Sequence, residues 1–255
     1  METIATSSDT FLQKLKNNQN LCRDFEKALI CYHTLFKEAL KEARWEEINE
    51  QLFKRNGIEV TDCASGSHIP GCDLKTNFGG ISNKTILAKN GKMAISSFRL
   101  GRHCSADKIS NMNIIKEVIH QKEENYERYS ILVRTETNIE IEYSWYMIPK
   151  TLDILDPGSY TWSAKLGKRK HTKGKQLGWT TGKLSGGSYM EIAFSMSSQL
   201  WIKDINIESL SEYKVCEVKI SKKKIGVIDF VDLYKIFKDS GVIGVESDVD
   251  LTISL

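Results

Sequence analysis

Apolar side chains recur at helical spacing between residues 8 and 55. Phe11, Leu12 and Leu15 make a short stripe. Leu21, Phe25, Ala28, Leu29, Tyr32, Phe36 and Leu40 make a longer one, and Trp45, Ile48, Leu52 and Phe53 continue it. Side chains three and four apart share a helix face, so a layer of amphipathic helices is predicted. Asn17-Asn18-Gln19-Asn20 breaks the run. Asn56-Gly57 ends it, because both residues tolerate the left-handed conformation of a helix end. From Gly57 to Arg102 the period shortens. Ile58–Val60, Cys72–Thr76, Ile81–Ala88 and Met93–Leu100 read as strands between turns rich in Gly and Asn, and Asn90-Gly91 is a type I′ hairpin signal. Asp107–Tyr126 returns to helical spacing. Ser130–Val133 and Asn138–Ile148 are then apolar, β-branched and aromatic, as in strands.

Beyond Pro149 the pattern loosens into glycine-punctuated hairpins. Strands are predicted within Glu191–Ile202 and at Tyr213–Ile220, and a helix near Phe230–Lys238. The predicted class is α/β, a mixed β-sheet flanked by helices with a β-rich C-terminal elaboration. A division at 148/149 is expected, with 1–148 as helical layer and core and 149–255 packed on it, or the whole as one domain.

The formal charge of +3 is too small to decide a partner, but its distribution is uneven. No acid occurs between Asp156 and Glu191, while Lys165, Lys168, Arg169, Lys170, His171, Lys173, Lys175 and Lys183 do. Tyr160, Trp162, Trp179 and Tyr189 stand among them. Lysine and arginine neutralise phosphates and release counterions, so this interval is read as a nucleic-acid contact. No apolar run is long enough to span a bilayer, and the first residues lack a secretory signal pattern. The six cysteines form no CxxC pair or framework spacing, so reduced thiols in a cytoplasmic protein are expected. A zinc site drawn from Cys63, His68, Cys72, His103 and Cys104 matches no common structural spacing.

The chemistry-bearing stretch is Ser67-His68-Ile69-Pro70-Gly71-Cys72-Asp73-Leu74-Lys75, followed by Ile81-Ser82-Asn83-Lys84. It sets an acid at a strand edge and a lysine one hairpin later. With the order helix, three strands, helix, strand over residues 20–148, it resembles the PD-(D/E)xK nuclease superfamily, and within it the type II restriction endonucleases. The resemblance implies an α-β-β-β-α-β core. It also implies Mg²⁺, a 5′-phosphate product, double-stranded DNA as substrate and a homodimer on a two-fold site. It makes Asp73 the metal acid and Lys84 the catalytic lysine. The family's second acid, two residues before the lysine, is here Ser82, a poor Mg²⁺ ligand. Glu46, Glu47 and Glu50 on the helical layer are candidates to replace it. Glu47 and Glu50, spaced to share a helix face, are preferred for the metal.

His68, Arg99 and Arg102 are further candidates for DNA contact, alongside Lys168, Arg169, Lys170, Lys173 and Lys175. A Ser-Phe-Arg-Leu run at 97–100 also occurs in some restriction enzymes beside their lysine. That register would put Ser96 in the lysine's place and Ala94 in an acid's, which favours Lys84. The alternatives are a repair or phage nuclease of the same core, and a non-catalytic DNA-binding protein in which Ser82 records a lost metal site.

Overall fold

The structure, a computed structural model, describes residues 7–63, 72–108 and 111–242. Three helices come first: α1 (Ser7–Lys16), α2 (Gln19–Leu35) and α3 (Glu42–Arg55). The expected break at Asn17–Asn18 has a local cause, since the Asn18 side chain accepts the Leu21 N–H at 3.0 Å and caps α2. At the far end Gly57 takes φ +72° just past α3. Leu40, placed on a helical stripe by its spacing, instead lies in the α2–α3 connection, where it is still buried.

The strands are β1 (Val60–Cys63), β2 (Leu74–Thr76), β3 (Gly79–Leu87), β4 (Lys92–Arg99), β5 (Arg128–Glu136), β6 (Glu140–Pro149), β7 (Trp162–Leu166), β8 (Gln176–Thr181), β9 (Tyr189–Ala193), β10 (Gln199–Asn206) and β11 (Lys214–Ser221). Helix α4 (Met112–Glu123) precedes β5, and α5 (Phe230–Asp239) follows β11. Six strands make a mixed sheet in the order β1-β2-β3-β5-β6-β11, with β3 and β5 parallel. Five make an antiparallel sheet in the order β4-β10-β9-β8-β7.

The mixed sheet is covered on both faces. On one, α1–α3 pack Phe25, Trp45 and Phe53 against Leu132 and Trp145. On the other, α4 and the second sheet bring Ile115, Ile95, Ile192 and Ile202 against Tyr129, Ile131 and Ile148. Strand β5 is therefore buried without interruption from Arg128 to Val133. Its unbroken apolar run in the sequence is the pattern of a strand covered on both sides.

The strand assignment needs two corrections. Met93–Leu100, expected as the third core strand, belongs to the second sheet as β4, while β1, which starts at Val60, supplies the first strand of the mixed sheet. The Asn90-Gly91 turn does form, with φ +52° and +70°. However, a strand has only two hydrogen-bonding edges, and those of β3 are taken by β2 and β5. Strand β4 turns away and pairs with β10. Chain from both sides of residue 148 builds each sheet, because β4 joins the second and β11 returns to the edge of the first.

The cysteines also depart from expectation. Cys22 on α2 and Cys216 on β11 form a disulfide, with Cα atoms 5.5 Å apart, rather than two thiols. They are 194 residues apart in sequence, so no local spacing marks the pair. Among the described residues no helix is long and apolar enough to cross a membrane.

Candidate active site

Strand β2 is short and β3 is long, and the site lies where they part. Their pairing runs from Leu74↔Ile81 to Thr76↔Gly79. One more rung follows, in which the Asp73 N–H donates to the Ile81 carbonyl at 2.9 Å. Beyond it the Asp73 carboxylate takes over. Its Oδ2 accepts the Asn83 N–H at 2.5 Å and the Ser82 hydroxyl at 3.3 Å. Lys84 holds the same residue from the other side, since its Nζ donates to the Asn83 carbonyl at 2.7 Å and to Glu42 Oε1 at 2.8 Å. The Lys84 side chain is only 15% exposed, so its charge needs this acid near it.

Helix α3 carries Glu42, Glu46 and Asn49 at i, i+4 and i+7, along one side of the helix. Burial, and after it the negative charges of Asp73 and Glu42, push the Glu46 carboxyl up to about 7; Lys84 pulls the other way. Glu46 is thus the helical acid that feels Asp73. Glu47 is exposed and held by both its oxygens to Arg44, at 2.7 and 2.9 Å. Glu50 pairs with Lys54 one turn on, at 2.5 Å.

The choice between these acids was available in the sequence. Trp45, Leu52 and Phe53 mark the buried stripe of α3. At about 100° per residue, Glu42 falls within that stripe and Glu46 at its Phe53 edge, while Glu47 lies behind it. Glu42 and the polar core residues Asn49 and Asn83 were not singled out from the sequence. Only the pairing of α3 with β3 connects them to the site.

Asp73 lines a cavity of about 260 Å³ together with Asp62, Lys75, Gly80, Glu124 and Glu127. Its neighbours include three more carboxylates and a single lysine. Among the described residues no group of three or more His, Cys, Asp or Glu side chains is arranged to hold a metal ion. Mg²⁺ does not require one, because it keeps several waters and is commonly held by one or two carboxylates plus substrate phosphate. Asp73 and Glu46 fit that donor set. They are hard oxygen ligands, and a divalent cation would offset the burial, and after it the negative charge of Asp73, that raise the Glu46 carboxyl. Ser82 is buried and donates to Asp73, so it orients the acid.

The alternative register falls in the other sheet. Ser96 pairs with Trp201 of β10, and the Ser97 hydroxyl lies 3.2 Å from the Tyr129 hydroxyl. Arg99 and Arg102 are exposed at and just past the end of β4. His68, with the rest of Ser67–Gly71, lies outside the described residues.

The basic interval is the β7–β8 hairpin. Its tip is ordered by main-chain bonds: Thr172 N–H to Arg169 O at 2.9 Å, Lys175 N–H to Thr172 O at 2.9 Å and Gly167 N–H to Lys175 O at 2.8 Å. At its base, Gly178 (φ +157°) crosses β9 so closely that a Cβ would sit 1.9 Å from the Ile192 carbonyl oxygen. Cations nearer the sheet are ion-paired, Lys165 and Lys203 sharing Glu191 and Lys183 with Asp204. At the tip, Lys168, Arg169, Lys170, Lys173 and Lys175 are all exposed, and among the described residues none forms an ion pair.

No family model, curated protein or solved structure matches the chain.

Proposed function

We propose that the protein is a Mg²⁺-dependent endonuclease of the PD-(D/E)xK type, hydrolysing phosphodiester bonds of double-stranded DNA as a type II restriction enzyme does. One observation carries the reading. Asp73 and Lys84 hold opposite sides of Asn83 where two strands part, Glu42 of α3 pairs with Lys84, and α3 sets Glu46 within electrostatic reach of Asp73. The run β1-β2-β3, then α4, then β5 parallel to β3, behind a helical layer, is compatible with the core of that superfamily.

In this reading Asp73 and Glu46 hold the cation, with Glu46 in place of the acid that Ser82 lacks. The cation supplies a water of lowered pKa and shields the scissile phosphate. Ser82 and the Asn83 N–H fix the Asp73 carboxylate. Lys84, kept near the phosphate by Glu42 and the Asn83 carbonyl, donates to a phosphate oxygen as negative charge develops there. The hairpin tip, with Arg99 and Arg102, follows the DNA backbone. Arg169 is the choice for reading a guanine, because its planar fork addresses two acceptors. A homodimer would match a palindromic site.

A second reading is a non-catalytic DNA-binding protein. It is favoured by Ser82 and by the fact that Asp73 and Lys84 both satisfy main-chain groups of β3, a purely structural use. Plasmid incubated with and without Mg²⁺ separates the readings. Discrete fragments support restriction, a smear indicates a repair-type nuclease, and binding without cutting supports the second reading.

A further inference from the structure

The residue gripped by Asp73 and Lys84 has a third attachment, and it leads into the core. Asn83 and Asn49 are both completely buried, and the Asn49 Nδ2 donates to the Asn83 Oδ1 at 2.7 Å. The same Nδ2 donates to the Ser130 hydroxyl at 2.9 Å, and the Trp145 indole N–H donates to that hydroxyl at 2.9 Å. A buried polar link therefore ties α3 to β3, beside the Lys84–Glu42 ion pair, with Ser130 of β5 and Trp145 of β6 behind it. The link is not optimised for stability, since Asn49 Oδ1 and Asn83 Nδ2 are buried without partners among the described residues. An apolar pair of similar size would leave no such atoms stranded.

The position of the link is what gives it consequence. Asn49 stands on the same side of α3 as Glu42 and Glu46. Asn83 stands between Ser82 and Lys84 on β3. Apolar packing alone lets a helix slide along a sheet with little penalty, whereas a buried hydrogen bond fixes one register. We infer that Asn49, acting through Asn83, is a positioning residue that sets α3 against β3 so that Glu42 meets Lys84 and Glu46 faces the neighbourhood of Asp73. The inference rests on the nuclease reading. It adds that the helical acid is usable only because an amide pair in the core fixes its place.

The test compares Asn49→Leu with Ser130→Ala. Both disturb the buried network, but only the first cuts the amide link between α3 and β3. Mn²⁺ alone is titrated calorimetrically without DNA, and single-turnover cleavage is measured at saturating Mg²⁺ and DNA, below the melting temperature of each variant. Asn49→Leu should weaken Mn²⁺ binding at least about tenfold. It should also slow cleavage about 100-fold, the loss expected for a displacement of about 1 Å, with DNA affinity in Ca²⁺ unchanged. Ser130→Ala should lower the melting temperature and leave Mn²⁺ binding and cleavage within about threefold of wild type, since it leaves that positioning bond in place. Asn83→Ala breaks the same link from the strand and carries the same expectation as Asn49→Leu.

The inference is overturned if Asn49→Leu binds Mn²⁺ and cuts like wild type, or if Ser130→Ala does equal harm. It is also overturned if neither link variant folds, because the pair is then a stability element. A wild-type protein that neither binds Mn²⁺ nor cuts would remove the nuclease reading itself, a different result from any of these.

Discussion

Lys84 and the lysines of the β7–β8 tip are the same residue type in opposite circumstances. Lys84 is mostly buried and fixed by Glu42 and a main-chain carbonyl. The tip lysines are exposed and, among the described residues, form no ion pair, on a turn ordered by its own backbone. A cation held in one place suits a step that needs one geometry, while a set of free cations suits a long, uniform phosphate backbone. The contrast divides the proposed labour: the parting of β2 and β3 would do chemistry, and the hairpin would hold substrate. Substitutions at the two places should therefore fail in different ways.

The largest effect is expected at the first region. Asp73→Ala should lower single-turnover cleavage by about 10³-fold or more while leaving DNA affinity within about threefold. Lys84→Ala should behave alike, and normal cutting by that variant alone would shift the role to Lys75, the nearest alternative.

Next comes the helical acid. Glu46→Gln should slow cleavage by about 100-fold and raise the Mg²⁺ needed, whereas Glu47→Gln and Glu50→Gln should stay within about twofold of wild type, a Mg²⁺ titration of the three being the check. A strong effect of Glu47→Gln would contradict the placement of these side chains.

The hairpin should respond through salt. If about three of Lys168, Arg169, Lys170 and Lys173 meet phosphates, replacing all four with Ala flattens the slope of log K against log salt by about 3. Arg169→Ala alone should cost roughly 1–3 kcal/mol on the cognate site and little on random DNA. An unchanged slope and affinity in the four-fold variant would mean that the tip is merely solvated.

The smallest effect is a control on charge. Burial, with Asp156 adding and Lys150 opposing, raises the Glu123 carboxyl from the ordinary 4.5 to about 7. The folded state then holds the proton more tightly than the unfolded one. Its stabilising contribution is full below pH 4.5 and is lost as pH rises through about 7. Denaturant melts from pH 4 to 8 should show Glu123→Gln flattening that dependence by at most about 3 kcal/mol, equally with and without Mg²⁺. The slope contributed by Glu46, in contrast, should shrink when Mg²⁺ is added.

The sequence disclosed the elements better than their neighbours. The helical layer, the break at Asn18 and the buried run of β5 were legible because local capping and apolar periodicity determine them. The destination of β4 was not, since it depends on both edges of β3 being taken by strands close to and far from it in sequence. The Cys22–Cys216 bridge escaped for the same reason of distance. At the candidate site, the nearness of Asp73, Ser82 and Lys84 was legible from spacing. The face that Glu47 and Glu50 share does not separate them from Glu46; the buried stripe of α3 does. Asn49 stands four residues from both Trp45 and Phe53, so its place on the buried stripe was legible, whereas its pairing with Asn83 was not, because that depends on where β3 lies.

The division of labour is tested most directly by single-turnover cleavage of saturating DNA at low salt, comparing Asp73→Ala with the four-fold hairpin variant. Asp73→Ala should bind and fail to cut, and the hairpin variant, once saturated, should cut at close to the wild-type rate. Wild-type cutting by Asp73→Ala under these conditions would contradict the account.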